Sequence, residues 1–243
     1  MRIKVAIVDK RIPDECERAL ILRGFRVVTL PPSSRLPEAL ASHTDMLICR
    51  LGCDYITSAD YLDEAPFGIQ EIYDLLHPRF HFTADVFGSE YPNDAIFNCL
   101  GFGNILFSKS DTVSSYVLNI ARDKGYRVVR TKQGYPACTV LKLNDEAAIT
   151  SDRGMARLLS EYGIRVYEIE DGGIMLPPYE YGFIGGAGGV YGGDVYFVGD
   201  VTRHPSYEVI KSAAESEGLG IISLGNTTLL DVGGILFAEA DVD

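Results

Sequence analysis

Amphipathic runs followed by short β-branched segments recur five times along the chain. They read ERALILRG-FRVV, YDLLHPR-FHFT, LNIARDKG-YRVV, ARLLSEYG-IRVY and IKSAAESEG-LGII. Four of the five runs close on a glycine, the residue that most readily takes the left-handed conformation at the end of a helix. The closing positions are Gly24, Arg79, Gly125, Gly163 and Gly218. This pattern predicts five helix-then-strand units, and repeats of this period are typical of stacked or radial folds.

A pair of apolar segments precedes each helix. The second segment of each pair reads IKVAIVD, DYITSAD, NILFSKSD, EAAITSD or DVYFVGD, which is the pattern of a buried strand. Each one ends in an aspartate, namely Asp9, Asp60, Asp111, Asp152 and Asp200. Each unit is therefore predicted to run strand, strand, helix, strand (ββαβ), and we expect most of these aspartates to cap the helix that follows.

The two ends of the chain complete each other. The C-terminal segment DVGGILFAEA is a first strand without its partner, and the N-terminal IKVAIVD is a second strand without its own. We expect these two strands to pair and so to close one repeat. The fold class predicted is α/β, a five-fold pseudosymmetric propeller of ββαβ repeats in a single domain over residues 1–243.

A doubly wound dinucleotide-binding domain is the rival fold. The N-terminal strand and helix fit such a domain, but their turn lacks the G-x-G-x-x-G sequence. The glycines from Gly185 to Gly189 precede the strand DVYFVGD instead of a helix. No helix N-terminus is then available for a pyrophosphate, so we interpret these glycines as places where backbones approach closely.

Charge and cysteine content limit the partners. The chain has 22 Lys and Arg against 34 Asp and Glu, a net charge of -12, which argues against nucleic acid and anionic membranes and is compatible with a small cationic ligand. The same charge also simply favours solubility. The chain enters a strand at once, without a signal peptide or a membrane span, and its five cysteines follow no disulfide pattern. We expect a cytoplasmic protein with free thiols, no cofactor and no metal, since Cys49-x3-Cys53 has no second ligand pair; the oligomeric state is left open.

Several segments of the chain resemble a known family. Five ββαβ units closed by the termini, together with TKQGYPACTVLKLNDEAAITSDRGMA, PPYEYGFIGGAGG, GDVTRHP and LLDVGGILF, are similar to an uncharacterised bacterial branch of the pentein superfamily, also called the guanidine-group-modifying enzymes. The resemblance implies a five-fold propeller. It also implies a relation to deiminases, dimethylarginine hydrolases and amidinotransferases, and to a translation factor that catalyses nothing.

The nucleophile of the catalytic pentein members is missing at its usual place. In those enzymes a glycine pair is followed by His-Cys or a close variant, and the cysteine attacks the guanidino carbon. Here the glycines are Gly233 and Gly234, but Leu236 and Phe237 stand where the resemblance places histidine and cysteine. A phenyl ring cannot act as a nucleophile, so this departure argues against the family's chemistry.

Cys138 is the thiol that could replace that nucleophile. It stands four residues after Gly134, as Phe237 stands four after Gly233. His204 is the candidate base, with Asp200 or Asp152 to orient it. The alternative is that Cys138 is a small buried apolar residue and His204 only begins a helix before Pro205.

Three further residues are candidates for binding a ligand. Asp152 and Asp231 adjoin glycine-bearing segments, and either carboxylate could hold a guanidinium in bidentate fashion. Asp231 is the better candidate because no helix follows that it would cap. Tyr181 is a candidate rim residue of a pocket, although aromatic clusters more often serve packing. The remaining histidines, His43, His77 and His81, form no ligand spacing and are given no role.

Three functions therefore compete. The first is a pentein-fold protein that binds a small ligand, such as a guanidino or amidino compound, at the central axis without family-type catalysis. The second is a cysteine-dependent hydrolase or transferase acting on such a ligand through Cys138 and His204. The third is a non-catalytic interaction module. Because Phe237 replaces the nucleophile, the first is the hypothesis that we carry forward.

Overall fold

The strands of the computed structural model, which describes residues 1–241, form five three-stranded sheets of one topology. In every sheet the middle strand pairs antiparallel with one neighbour and parallel with the other. The sheets are β17 (Leu236–Asp241), β1 (Arg2–Asp9) and β2 (Phe25–Leu30); β3 (Cys49–Leu51), β4 (Asp54–Ser58) and β5 (Phe80–Thr83); β6 (Leu100–Phe102), β7 (Ile105–Ser108) and β8 (Arg127–Arg130); β9 (Val140–Lys142), β10 (Ala147–Thr150) and β11 (Arg165–Glu168); and β13 (Gly188–Tyr191), β14 (Asp194–Phe197) and β15 (Gly220–Ser223). A short parallel pair joins β12 (Ile174–Met175) to β16 (Leu229–Leu230).

Helices connect the two parallel strands of each sheet, because a parallel pair needs a long crossover. These helices are α1 (Asp14–Leu22), α3 (Ala59–Glu64) with α4 (Pro66–Leu76), α5 (Ser115–Asp123), α7 (Arg153–Glu161) and α8 (Tyr207–Ser216). Single turns of helix, α2 (Thr44–Leu47) and α6 (Pro136–Thr139), precede β3 and β9. Short 3-10 helices lie at Glu38–Leu40, Asn93–Ala95, Gly185–Ala187 and Val201–Arg203. The ββαβ order predicted from the sequence is thus confirmed in each of the five sheets.

The glycines predicted to close helices take the left-handed conformation. The φ angles are +83° at Gly24, +77° at Gly125, +81° at Gly163 and +68° at Gly218. Arg79, the exception in the pattern, lies three residues beyond the end of α4 at Leu76. The four glycines therefore end their helices in the way that the sequence predicted.

The prediction that most strand-end aspartates cap helices is wrong. Asp152 caps α7, and Asp200 caps the 3-10 helix Val201–Arg203. The other three do not, as Asp9 instead binds Arg11 and α5 is capped by Ser114. Helices α1 and α5 begin several residues after Asp9 and Asp111, at the N-caps Pro13 and Ser114, whereas α3 begins directly after β4 and already contains Asp60.

The chain ends pair as predicted. Strand β17 runs antiparallel to β1, with Phe237 opposite Ala6 and Ala240 opposite Ile3. The Phe237 ring packs into an aromatic cluster, with centroids 5.0 Å from Phe25 and 5.1 Å from Tyr196. Within residues 1–241, no helix is long and apolar enough to cross a membrane.

Candidate functional site

A cavity of about 470 Å³ lies among the first strands of all five sheets. Each of these strands contributes to its wall, through Arg50 of β3, Gly101 of β6, Lys142 of β9, Val190 of β13 and Leu236 of β17. We call this space the axial cavity. It is lined by residues from every repeat, so it depends on the whole fold.

Glycines permit the close approach of strands beside the axial cavity. A Cβ atom at Gly188 would lie 2.4 Å from the Tyr196 carbonyl oxygen, and one at Gly189 would lie 2.4 Å from the Ile235 carbonyl oxygen. Real Cβ atoms do not approach oxygen so closely. The sequence interpretation of this glycine run as a place of backbone crowding is confirmed.

Thr44 and Asp45, at the start of α2, line the axial cavity. The glycine pair holds them: the Asp45 backbone N–H donates to the Gly233 carbonyl at 3.2 Å, and the Thr44 hydroxyl donates to the carbonyls of Gly233 and Gly234. Gly233 has φ +72°, and a Cβ there would lie 2.4 Å from the His43 Cβ. The glycine pair that resembles the catalytic pentein motif therefore serves here to position His43, Thr44 and Asp45.

Asp45 is a buried carboxylate with no cation beside it among the described residues. Its side chain is 9% exposed, and the side-chain donor beside its carboxylate is the Cys138 thiol, a weak donor. Burial, and then the charge of Asp231, raise the pKa of Asp45 to about 7. A buried charge without a partner is costly, so this group is stabilised either by a proton or by a cation.

His43 connects Asp45 to two other buried carboxylates. Its Nδ1 lies 3.9 Å from Oδ1 of Asp45 and 3.7 Å from Oδ1 of Asp231, and its Nε2 lies 3.9 Å from Oδ2 of Asp9. Burial, and then the Arg11 charge, lower the pKa of His43 to about 3, so the imidazole is neutral near pH 7. Sequence reasoning gave His43 no role and did not consider Asp45. The available signal was that residues 43–45 come shortly before the first strand β3, as Asp231 comes shortly before β17.

Asp231, predicted to bind a ligand, is part of this buried cluster. Its Oδ2 accepts from the Phe183 N–H at 2.8 Å and its Oδ1 from the Gly233 N–H at 3.0 Å. Burial raises the pKa of Asp231 to about 6. It also lines a second, smaller cavity of about 120 Å³ together with Asp9 and Arg11.

Cys138 lies in the same neighbourhood but in surroundings that suppress its reactivity. The Asn98 side-chain amide donates to its Sγ at 3.1 Å. Burial and the nearby Asp45 and Asp231 raise the pKa of the Cys138 thiol well above its usual range. A nucleophilic thiolate needs the opposite, a cation or imidazolium that lowers the pKa.

The structure does not bring Cys138, His204 and Asp200 together as a catalytic set. His204 is buried, its Nδ1 accepts from the Ser206 N–H at 3.0 Å, and burial lowers its pKa. Asp200 accepts from the Thr202 N–H at 3.0 Å and from the Thr202 hydroxyl at 2.7 Å. Within residues 1–241, the side-chain contacts of His204 include neither Cys138 nor Asp200. His204 thus binds the backbone at the start of α8, and Asp200 caps the 3-10 helix Val201–Arg203.

Asp152 and Tyr181 likewise have local roles. Oδ1 of Asp152 accepts from the backbone of Gly154 at 2.7 Å and Met155 at 2.9 Å, and Oδ2 accepts from Gln133. The half-buried Tyr181 ring meets Phe183 edge-on with centroids 6.3 Å apart. Neither residue lines either cavity. Among residues 1–241, no set of three or more His, Cys, Asp or Glu side chains is arranged to hold a metal ion.

Comparison with solved structures identifies the fold. The chain superposes on a variant of the enzyme DDAH from Pseudomonas aeruginosa complexed with citrulline, with TM-score 0.56, 13% identity and 91% of each chain covered. It matches an inosamine-phosphate amidinotransferase from Streptomyces griseus with TM-score 0.54 and 14% identity over 99% of this chain and 94% of that one. It matches the agmatine deiminase of C. jejuni with TM-score 0.52 and 8% identity over 92% of this chain and 88% of that one. At such identities the likeness concerns the fold alone.

Comparison of sequences gives the family. No curated protein matches the chain by sequence. Residues 7–236 match the family described as "Family of unknown function (DUF6873)". The chain therefore belongs to the family DUF6873, and its fold is that of the pentein superfamily.

Proposed function

We propose that this protein binds a small cationic molecule, with a guanidinium or amidinium group, in the axial cavity, and that it does so without thiol catalysis. The observation that carries the proposal is the buried Asp45 carboxylate, which lines the axial cavity and has, among the described residues, no cation and no stronger side-chain donor than the Cys138 thiol beside it. In the proposed complex the carboxylate turns to the ligand and accepts a forked pair of hydrogen bonds.

The size of the axial cavity supports a ligand of this kind. Its volume, about 470 Å³, is in the range of roughly 300–1,000 Å³ that is usual for small-molecule sites. Of the two cations in its wall, Lys142 pairs with Asp145 and the Gly101 carbonyl, whereas Arg50 donates to the carbonyls of Gly52 and Phe237 and has no carboxylate partner among the described residues. Asp45 is the carboxylate of the wall whose ion-pair neighbour, His43, is neutral near pH 7.

The fold relatives make a guanidino or amidino ligand the natural class to test. They include an agmatine deiminase and amidinotransferases. We further propose that residues 1–243 form one pentein-like domain in which the five ββαβ units close a pseudosymmetric propeller around the axial cavity. The five cysteines are free, which supports a reducing compartment such as the cytoplasm.

Two features support binding over cysteine catalysis. The Phe237 ring occupies an aromatic cluster at the position that the resemblance gives to the nucleophile. Cys138 has a raised pKa, and its nearest titratable groups are carboxylates. No observation on the described surface favours the third function, an interaction module.

A thermal-shift experiment with substitutions tests the proposal. The probes are methylguanidine and benzamidine at pH 8, and both should raise the Tm of the wild-type protein, because ligands that bind only the folded state stabilise it. Asp45→Asn should abolish the shift. Asp63→Asn, the same change at an exposed position of α3, should retain it. No shift with either probe, or an equal shift in Asp45→Asn, would refute the proposal.

A further inference from the structure

The side chain of Arg11 is bound by Asp9 in a forked arrangement. Nε of Arg11 donates to Oδ1 at 3.0 Å, and Nη2 donates to Oδ2 at 2.6 Å. The Asp9 side chain is fully buried, whereas that of Arg11 is 44% exposed. A two-bond fork on a buried carboxylate is the geometry by which proteins recognise a guanidinium group.

Backbone carbonyls complete the binding of the Arg11 guanidinium. Nη1 donates to the Glu38 carbonyl at 2.9 Å, and Nη2 donates to the Ala39 carbonyl at 2.9 Å. Four of the five N–H bonds of the guanidinium thus have an acceptor. Both carbonyls belong to the 3-10 helix Glu38–Leu40, so the acceptors are held by secondary structure and not by a loose loop.

This guanidinium is the cation of the buried acidic cluster. It lines the second cavity, of about 120 Å³, with Asp9 and Asp231. Asp9 has His43 as its other neighbour, with Nε2 at 3.9 Å, and His43 is neutral near pH 7. The positive charge that neutralises Asp9 is therefore supplied by Arg11.

We infer that Asp9 and the carbonyls of Glu38 and Ala39 form a guanidinium-binding site, separate from the axial cavity, which the protein fills with its own Arg11 side chain. Removal of that side chain vacates a site that accepts free guanidinium or a monoalkylguanidinium ion. This inference does not depend on ligand binding at Asp45.

The test is chemical rescue of Arg11→Ala by methylguanidinium chloride at low millimolar concentration, with sodium chloride at the same ionic strength as the reference. The variant should have a Tm lower by roughly 5 °C, and methylguanidinium should restore most of the loss. The Tm increase of the wild-type protein in methylguanidinium measures binding in the axial cavity. Binding at the Arg11 site is the amount by which the Tm increase of Arg11→Ala exceeds that of the wild type.

Three matched variants keep the result specific. Arg26→Ala removes an exposed arginine that is paired with Glu71, and its Tm should not recover with methylguanidinium beyond the wild-type response. Arg11→Lys retains a side chain in the site and should not recover either. Asp9→Asn combined with Arg11→Ala removes the carboxylate and should not be rescued.

Equal responses of Arg11→Ala and wild type to methylguanidinium would overturn the inference. Rescue of Arg26→Ala to the same degree would do so as well. If Arg11→Ala does not fold on its own, the yield of refolding with and without methylguanidinium replaces Tm as the readout, and an unchanged yield refutes the site. Loss of probe binding at Asp45 leaves these outcomes unaffected, so the two proposals fail separately.

Discussion

Asp45 is a buried carboxyl group that has no cation beside it among the described residues. Its pKa of about 7 lies far above the ordinary value of 3.8, so the folded protein holds this proton more tightly than the unfolded chain does. Stability contributed by this group therefore falls as the pH rises from about 4 to about 7. The low pKa of His43, about 3 against 6.5, acts in the opposite direction, since the unfolded chain binds that proton more tightly between those pH values.

Asp45→Asn should separate these two effects. The variant lacks the ionising group, so only the wild type loses stability as this carboxyl group is deprotonated. The unfolding free energy of the variant minus that of the wild type should therefore be larger at pH 8 than at pH 5 by about 2–3 kcal/mol, at about 1.4 kcal/mol per pH unit of differential protonation. Urea unfolding at the two pH values measures this difference, with Asp63→Asn as the control. A difference between variant and wild type that does not change with pH would contradict the buried, unpaired state of Asp45.

The thiols provide a second test at the scale of residues. Cys53 is exposed, while Cys138 is buried with a raised pKa. Alkylation of the native protein at pH 6.5, resolved by mass spectrometry, should label Cys53 first and leave Cys138 protected until the protein unfolds. Rapid labelling of Cys138, slowed by His204→Ala, would instead support the cysteine-dependent enzyme.

The sequence made only part of the buried cluster visible. Asp231 stood out because no helix follows it, and Cys138 because of its distance from a glycine. His43 and Asp45 carry no motif, and they meet Asp231 only because residues far apart in the chain converge next to the axial cavity. A spacing rule along the chain does not describe that convergence, whereas the fold does.

The link between β16 and β17 fixes the position of α2 through the glycine pair. Gly233→Ala should be destabilising for two reasons, a left-handed φ of +72° and a Cβ only 2.4 Å from the Cβ of His43. Gly192 has φ +62° but open space around it. Gly192→Ala should therefore cost about 1–2 kcal/mol, and Gly233→Ala on the order of 3 kcal/mol or more, with loss of methylguanidine binding. Equal costs in chemical denaturation would show that the contact with His43 does not constrain α2.

Elements were predictable where their signal is local. Apolar periodicity and closing glycines located the helices of the five units, because both depend on residues within one or two turns. The helix caps were less predictable, since the length of the connecting chain decides which residue reaches the first turn, and α1 begins only at Asp14, well after Asp9. Asp9 binds Arg11, and the sequence gives no sign that this pairing is stronger than capping.

At the scale of the whole molecule, the chain has the fold of the solved structures that it matches and a buried cluster of His43, Asp45 and Asp231 next to its axial cavity. Its five sheets share one topology and contribute to one cavity, as the repeat pattern and the pairing of β17 with β1 imply. Whether that cavity is open was not predictable, because it depends on the sizes of side chains from five separate strands. Gly188 and Gly189 let strands approach closely, and the Phe237 ring packs into an aromatic cluster. Their effect on the width of the cavity becomes visible only when all five strands are placed.

Titration calorimetry of methylguanidine against the wild-type protein at pH 6 and pH 8 tests the central claim most directly. Guanidinium groups stay protonated at both pH values, so any pH dependence of binding belongs to the protein. With a pKa of about 7 for Asp45, binding should be roughly tenfold tighter at pH 8 than at pH 6 and should release about one proton at pH 6, seen by comparing buffers of different ionisation enthalpy. Asp45→Asn should not bind. Equal affinity at the two pH values, or unchanged binding by Asp45→Asn, would contradict Asp45 as the ligand's anchor.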